Sequence, residues 1–467
     1  MKKNLIIMLA ALVCLAGLTW GAVALSRHLN PPVGADPRLV LTDTSLGELE
    51  KINVKARGDE YTIIKKGAVS GYTILGREAA YNEDALADLW KCGTGLLATE
   101  LVNQSTTPEL RAEYSLDQPT SVLEFVYKDG TSRTLTLGRL TDTNDNYYVS
   151  SSHNPDWTLL LPKGQTMQMQ KNAIAFRSVP AVMVNFNELT ELKFVMEGRP
   201  TIHIVEAKAG DSLSGLDTWR IVEPYDHPVR LAVIQKFFSC FYRLSPAEMV
   251  ADNVEDFAPY GLADPTYCLT VQDRHGGYEL QLGDEDPTAA NMYYCRLNGS
   301  NEVYRLAKLY STSEDFAISP EEVRAIDLAE GYVALVGLAT VDQVTLTGAV
   351  NATLTMEHEM NSDGSVLATL FKLNGITMRE EASKRFYQDL VSVSVAGEVD
   401  AEIDAEPYLT LTFRRPGFED LVISYVAWER DSYAAVNAQG HAIFFATREE
   451  VEGIVAAYET YRQEGRA

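Results

Sequence analysis

Only five cysteines occur in 467 residues, and no two have the Cys-x-x-Cys spacing of a redox or zinc motif. A small scaffold stapled by disulfides is thereby excluded. Cys14 lies in an apolar N-terminal stretch, and Cys92, Cys240, Cys268 and Cys295 follow in the body of the chain. Cys268 and Cys295 fall in predicted strands of one module, where they either pair or sit as small unpaired hydrophobes. Positive charge is also scarce, with 40 Lys and Arg against 65 Asp and Glu and a formal net charge of −25. Such a surface repels phosphate backbones, and no basic cluster overrides the average, so nucleic acid is not an expected partner.

The motifs of common catalytic chemistries are missing as well. The seven histidines, His28, His153, His203, His227, His275, His358 and His441, form no HExxH, no short H-x-H pair and no zinc-type Cys/His cluster. There is no GxSxG, and G210-DSLSG-215 reads as a loop before Trp219. P-loop and dinucleotide fingerprints are absent, so the chain is not expected to hydrolyse ATP. His275 falls in a predicted hairpin turn and His358 between two glutamates, and both read as surface or structural histidines.

The most ligand-like stretch is D142-TNDN-146, whose Asp142, Asn144 and Asn146 imitate the start of a calcium loop. Tyr147 stands where such a loop needs glycine and His153 where it needs its last glutamate, so the stretch reads as a polar turn. The run Asp284, Glu285, Asp286 reads as a solvated acidic segment. No catalytic, cofactor-binding or metal-ligating residue is assigned on this basis, and no cofactor is expected.

Long hydrophobic runs are limited to one. After M1-KKN-4 the residues from Leu5 to Leu25 carry no charge and are long enough to cross a bilayer as a helix, with Lys2 and Lys3 holding its start on the cytoplasmic side. An uncleaved anchor is the preferred reading. A cleaved signal peptide, from the Ala22-x-Ala24 pattern, and lipidation at Cys14 are the alternatives. All three put the folded body outside the cytoplasm. No later run reaches ~18 apolar residues, so a channel or permease is excluded.

What the sequence does contain is repetition. Y114-SLDQPT-120 returns as Y260-GLADPT-266, 146 positions later. Each phrase leads into an alternating hairpin, Thr120 to Gly138 and Thr266 to Gly283, and then to a strand with paired tyrosines, Tyr147-Tyr148 and Tyr293-Tyr294. Upstream, E48-LEKINVKARGDEYTIIKKG-67 matches E188-LTELKFVMEGRPTIHIVEAKAG-210, each followed by an aromatic strand at Tyr72 or Trp219.

A helix comes next in both copies. In D84-ALADLWKCGTGLL-97 the residues Leu86, Leu89 and Trp90 form a buried stripe and Asp84 serves the N-terminus. In the stretch from Pro228 to Leu244, Leu231, Ile234 and Phe238 form the stripe and Pro228 opens the helix. A more diverged third copy runs from V341-DQVTLTG-348, through a turn at N361-SDG-364 and a helix over E380-EASKRFYQDLVSV-393, to strands in A405-EPYLTLTF-413, L421-VISYVAW-428 and Y433-AAV-436. R448-EEVEGIVAAYETYR-462 reads as a closing amphipathic helix.

The expected fold class is therefore α+β: three tandem related units of antiparallel sheet plus packed helix, after one N-terminal transmembrane helix. The boundaries are 1–37 for the anchor, 38–180 and 181–325 for the first two units, and 326–467 for the diverged third. Within the repeated phrase, Pro119 and Pro265 suit the loop that starts an edge or first strand. Because Ser115 stands where the second copy has Gly261, the sequence alone does not establish a positive backbone angle shared by both copies.

The combination of the apolar N-terminus, Y260-GLADPT-266, L282-GD-284 and N291-MYYCRL-297 resembles the DUF4340 domain family, most clearly over residues 38–325. The resemblance implies an extracytoplasmic protein associated with ABC-type transport systems of the gliding-motility kind, with permease and ATPase subunits as partners. It carries no catalytic residues. A membrane-anchored accessory or scaffold protein is thus the first expectation. An extracytoplasmic ligand- or polysaccharide-binding module using Trp219, Tyr147, Tyr148, Tyr293 and Tyr294 is the second, and an envelope hydrolase the third.

Overall fold

The computed structural model describes residues 36–67, 71–208, 212–215, 217–309, 322–362 and 366–466. The expected membrane segment, with Cys14 and His28, lies outside them, as does part of the N361-SDG-364 turn. No helix among the described residues is long and apolar enough to cross a membrane. The chain is a mixed α and β protein built mainly of antiparallel sheet. It divides into two compact units, one ending at Val179 and including Glu248–Asp252, the other formed by Pro180–Ala247 and Asn253–Ala467.

The first unit holds strands β1 (Leu49–Ala56), β2 (Asp59–Lys65) and β3 (Tyr72–Ile74), helix α1 (Glu83–Lys91), and strands β4 (Glu100–Asn103), β5 (Ser121–Tyr127), β6 (Ser132–Leu140), β7 (Asn146–Ser151) and β8 (Asn154–Pro162). They lie in the order β3-β2-β1-β5-β6-β7-β8-β4. Alternation decides which face is closed: Ser121, Leu123, Phe125 and Tyr127 of β5 are buried, while the residues between them are partly exposed. Helix α1 covers that face with Ala85, Leu86, Leu89 and Trp90, the large side chains each worth roughly 1.5–3 kcal/mol of burial. Its cap is Asn82, whose side chain accepts from the Ala85 amide, so Asp84 lies within the first turn rather than before it.

The second unit begins with β9 (Leu189–Val195), β10 (Ile202–Glu206), β11 (Trp219–Glu223), β12 (His227–Pro228), helix α2 (Leu231–Phe238), and strands β13 (Tyr267–Asp273), β14 (Gly277–Glu285), β15 (Met292–Leu297) and β16 (Val303–Ala307). Eight of its strands follow the order β12-β11-β10-β9-β13-β14-β15-β16. Pro228 does not open α2. It ends the short strand β12, opposite Arg220, and the helix starts three residues later behind Arg230. Ile234 and Phe238 of the expected stripe are buried, joined by Val233 and Phe237, while Leu231 in the first turn is exposed.

The same unit continues with β17 (Gln343–Gly348), β18 (Ala352–Met360), β19 (Val366–Leu373), β20 (Ile376–Met378), helix α3 (Glu380–Val391), β21 (Gly397–Glu402), β22 (Leu409–Arg414), β23 (Leu421–Ala427), β24 (Ser432–Val436), β25 (His441–Thr447) and helix α4 (Arg448–Glu464). Their order is β20-β19-β18-β17-β22-β23-β24-β25-β21. Helices α3 and α4 close the sheet together, with the Phe386 and Tyr461 rings stacked 4.7 Å apart and Ser383 bonded to the Tyr461 hydroxyl at 2.6 Å. In all three sheets an opening antiparallel run lies beside a four-strand meander that follows a helix. The fourth meander strands, β8, β16 and β25, are not marked by the tyrosine pairs and are missed by sequence pattern.

The repeated phrase builds the entrance to each meander. Ser115 and Gly261 both adopt positive φ, 55° and 65°, so the left-handed turn is shared although only one copy uses glycine. The turn delivers the carbonyl of Tyr114 or Tyr260 onto a strand glycine, where a Cβ at Gly138 or Gly283 would lie 2.1 or 2.2 Å from that oxygen. Leu116 and Leu262 fill the core beside it. The strands that follow Pro119 and Pro265, β5 and β13, are central rather than edge strands, and each proline stands outside its strand, where no ladder hydrogen bond is lost. Gly138→Ala is expected to lower stability by about 2 kcal/mol, while Ser115→Gly is neutral or raises it by about 0.5 kcal/mol; urea unfolding midpoints of the two variants check this.

Candidate functional site

The second unit contains a cavity of about 480 Å³ whose lining includes Tyr225, Asp226 and His227 from the β11–β12 region and Val436, His441 and Phe444 from β24 and β25. The strand pair β11–β12 turns back sharply, which stacks Tyr225 and His227 on one side of the space. Both rings meet Phe444 edge to face, at 5.1 and 4.7 Å between centroids. Tyr225 donates to Glu398 at 3.0 Å, and burial, reinforced by that carboxylate, raises its pKa so that the phenol keeps its proton. The His227 Nε2–H donates to the Glu330 carbonyl at 3.1 Å. Burial pushes its pKa down to about 4, so the imidazole is neutral at pH 7. The neutral ring carries one N–H, and the Glu330 carbonyl takes it.

Beside this cavity runs an open groove of about 540 Å³, lined in part by Lys208, Arg220, Asp226, Arg415 and Phe418. Arg220 grips Asp226 through Nε and Nη2, at 2.8 and 2.5 Å. Arg415 enters by strand parity: Leu409, Leu411 and Phe413 are buried on β22, and two residues on Arg415 continues to the same side. Its neighbour Arg414 points outward to Asp342 at 2.9 and 2.7 Å. Arg415 is 7% exposed. Its Nη2 donates to the Ser212 carbonyl at 2.9 Å, and its Nε has no hydrogen-bond partner among the described residues.

The Ser212 carbonyl is held in place by Asp217. That carboxylate accepts from the Leu213 and Ser214 amides at 2.8 and 3.0 Å and from the Ser212 and Ser214 hydroxyls at 3.0 and 2.7 Å. Burial, with the Arg220 charge adding to it, lowers the pKa of Arg415 from its ordinary value. Such a guanidinium in a net acidic protein is suited to binding rather than proton transfer.

The segments singled out in the sequence have other roles. In D142-TNDN-146, Asp142 accepts from Arg139 at 2.8 Å, Asn144 from Lys163 at 3.1 Å and Asn146 from the Thr99 hydroxyl at 3.4 Å, so each of the three oxygen-bearing side chains has a protein donor. No cluster of three potential metal ligands occurs among the described residues. The run Asp284 to Asp286 is not simply solvated: Asp286 is buried, accepts from Thr288 and forms an ion pair with Arg305, whose Nε lies at 2.7 Å. His358 is bonded to the Val341 carbonyl and the Thr369 hydroxyl, each at 2.9 Å, and Glu357 pairs with Lys372.

Cys268 and Cys295 are free. Tyr267, Leu282 and Cys295 share one row across the sheet while Cys268 pairs with Gln281, so the two thiols leave opposite faces with β14 between them. Trp219 packs on Phe238 at 4.8 Å, Tyr148 stacks on Tyr114 at 4.2 Å, and Tyr294 meets Tyr260 at 5.2 Å. These aromatics are spent on packing. Arg220 and Arg415 were not singled out in the sequence, whose one available signal was the strand parity after Phe413.

Sheets that repeat one strand order define a tandem antiparallel-sheet protein. The model of a family described as a domain of unknown function, DUF4340, matches residues 76–217 and again 219–409, and the chain belongs to that family. The seam between the matches falls inside the second sheet, between β10 and β11. No curated protein and no solved structure matches the chain.

Two outcomes follow from these environments. Asp286→Ala removes a buried charge-assisted pair with Arg305 and is expected to cost about 1.5–3 kcal/mol, read as a lowered denaturant midpoint. His227 binds its proton more weakly folded than unfolded, so its contribution to stability is complete above its ordinary value of 6.5 and is lost as pH falls toward about 4. The full loss is about 3 kcal/mol. His227→Phe should flatten that part of the stability profile between pH 6.5 and 4, and urea titrations of both proteins at a series of pH values measure the difference.

Proposed function

We propose that this chain is a membrane-anchored extracytoplasmic scaffold, an accessory component of an ABC-type transport complex, and not an enzyme. The carrying observation is the recurrence of one strand order in three sheets of a single chain, which we read as three related units at 38–180, 181–325 and 326–467. Repetition of a sheet and its covering helix multiplies outer surface without creating a reaction centre. The uncharged stretch from Leu5 to Leu25 supports anchoring at the cell membrane as a single pass with the body outside. The transport association rests on the family resemblance; permease and ATPase subunits would supply the pore and the ATP hydrolysis for which this sequence has no motif.

A second reading, an extracytoplasmic ligand-binding module, is favoured by the groove beside Arg415. The polysaccharide form of that reading is weakened because Trp219, Tyr148 and Tyr294 pack against other aromatics. Purification of the tagged full-length chain in mild detergent is expected to enrich a permease and an ATPase over a control carrying residues 1–37 alone. Equal recovery from both would overturn the scaffold assignment.

A further inference from the structure

We propose that the groove beside Arg415 binds the carboxylate of a small organic acid that carries an apolar body. The groove, about 540 Å³, is of small-molecule size, and Lys208, Arg220, Arg415 and Phe418 gather there together with Glu206 and Glu419. Glu206 is engaged by Arg274, at 2.7 and 2.9 Å, and Arg220 by Asp226. Arg415 differs from them. No carboxylate among the described residues lies within ion-pair distance of its guanidinium, although buried charges are ordinarily paired.

A guanidinium edge presents two parallel N–H groups, the geometry that a carboxylate meets with both oxygens. Arg415 is fixed for that role from two sides. The Ser212 carbonyl holds Nη2, and the Phe418 ring lies 4.9 Å from the guanidinium carbon. Half of Phe418 is exposed, which offers apolar surface beside the charge. The net charge of −25 selects the size of the ligand. A polyanion is repelled once for every charge it carries, whereas a single carboxylate meets that field once and gains a local partner. This binding goes beyond the scaffold reading and does not depend on it.

The test is a fluorine NMR titration of the full-length chain in detergent with para-fluorobenzoate, using its neutral methyl ester as control. Saturable broadening is expected for the acid and not for the ester. Arg415→Gln should weaken binding at least about tenfold, the scale of a lost charge-assisted pair, and Phe418→Ala, an exposed change, about threefold. Arg462→Gln, at an exposed pair with Glu459 that does not line the groove, should leave binding unchanged. Absence of saturable binding, equal binding of the ester, or wild-type affinity in Phe418→Ala together with either Arg415→Gln or the milder Arg415→Lys would overturn the proposal.

Discussion

Each of the three large sheets among the described residues has one face that must be removed from water, and that constraint organises the rest. Alternation along β5, β13 and β22 puts Leu123 with Phe125, Leu269 with Val271, and Leu411 with Phe413 on the side to be covered. Each sheet meets the need with the helix that interrupts its strands: α1 with Trp90, α2 with Phe237 and Phe238, and α3 joined by α4. Because the helix falls between the opening run and the meander, the chain must re-enter the sheet beside its first strand. The left-handed turn at Ser115 or Gly261 and the carbonyl seated on Gly138 or Gly283 accomplish that return.

A fixed frame of this kind separates structural polar groups from functional ones. Asp286 with Arg305, Asp217 with its ring of serine hydroxyls and amides, and His227 with the Glu330 carbonyl are all satisfied internally. Their burial stiffens loops and strand ends and requires no ligand to explain it. Arg415 is different: its Nε, like that of Arg133, is buried without an acceptor, and Arg415 is the one that lines the groove. An unsatisfied buried donor costs roughly 1–3 kcal/mol, and retaining one beside an open groove makes sense where an outside acceptor completes it.

Much of the frame is legible in the residues. The hairpin from β1 to β2, the stripe of Leu86, Leu89 and Trp90, and helices α3 and α4 follow from local periodicity. The misreadings have local causes. Pro228 is as compatible with a strand end as with a helix start, and the pairing of β12 with β11 chooses the former. Asn82 outcompetes Asp84 as the cap because the chain enters the helix two residues earlier. Ser115, whose angle the sequence left open, takes a positive φ that sets the Tyr114 carbonyl against Gly138.

The sequence by itself determined the alternation, the helical stripes and the recurrence of one sequence unit, since each depends on residues a few positions apart and on their spacing along the chain. Tertiary structure alone decided which distant groups meet. Arg220 on β11 and Arg415 after β22 share a groove, and Asp286 finds Arg305 across two strands. It also decided that Cys268 and Cys295 leave opposite faces, through the register of three neighbouring strands. The physical reason is that periodicity fixes the face a side chain occupies, whereas its partner is fixed by where another strand or loop is brought against that face.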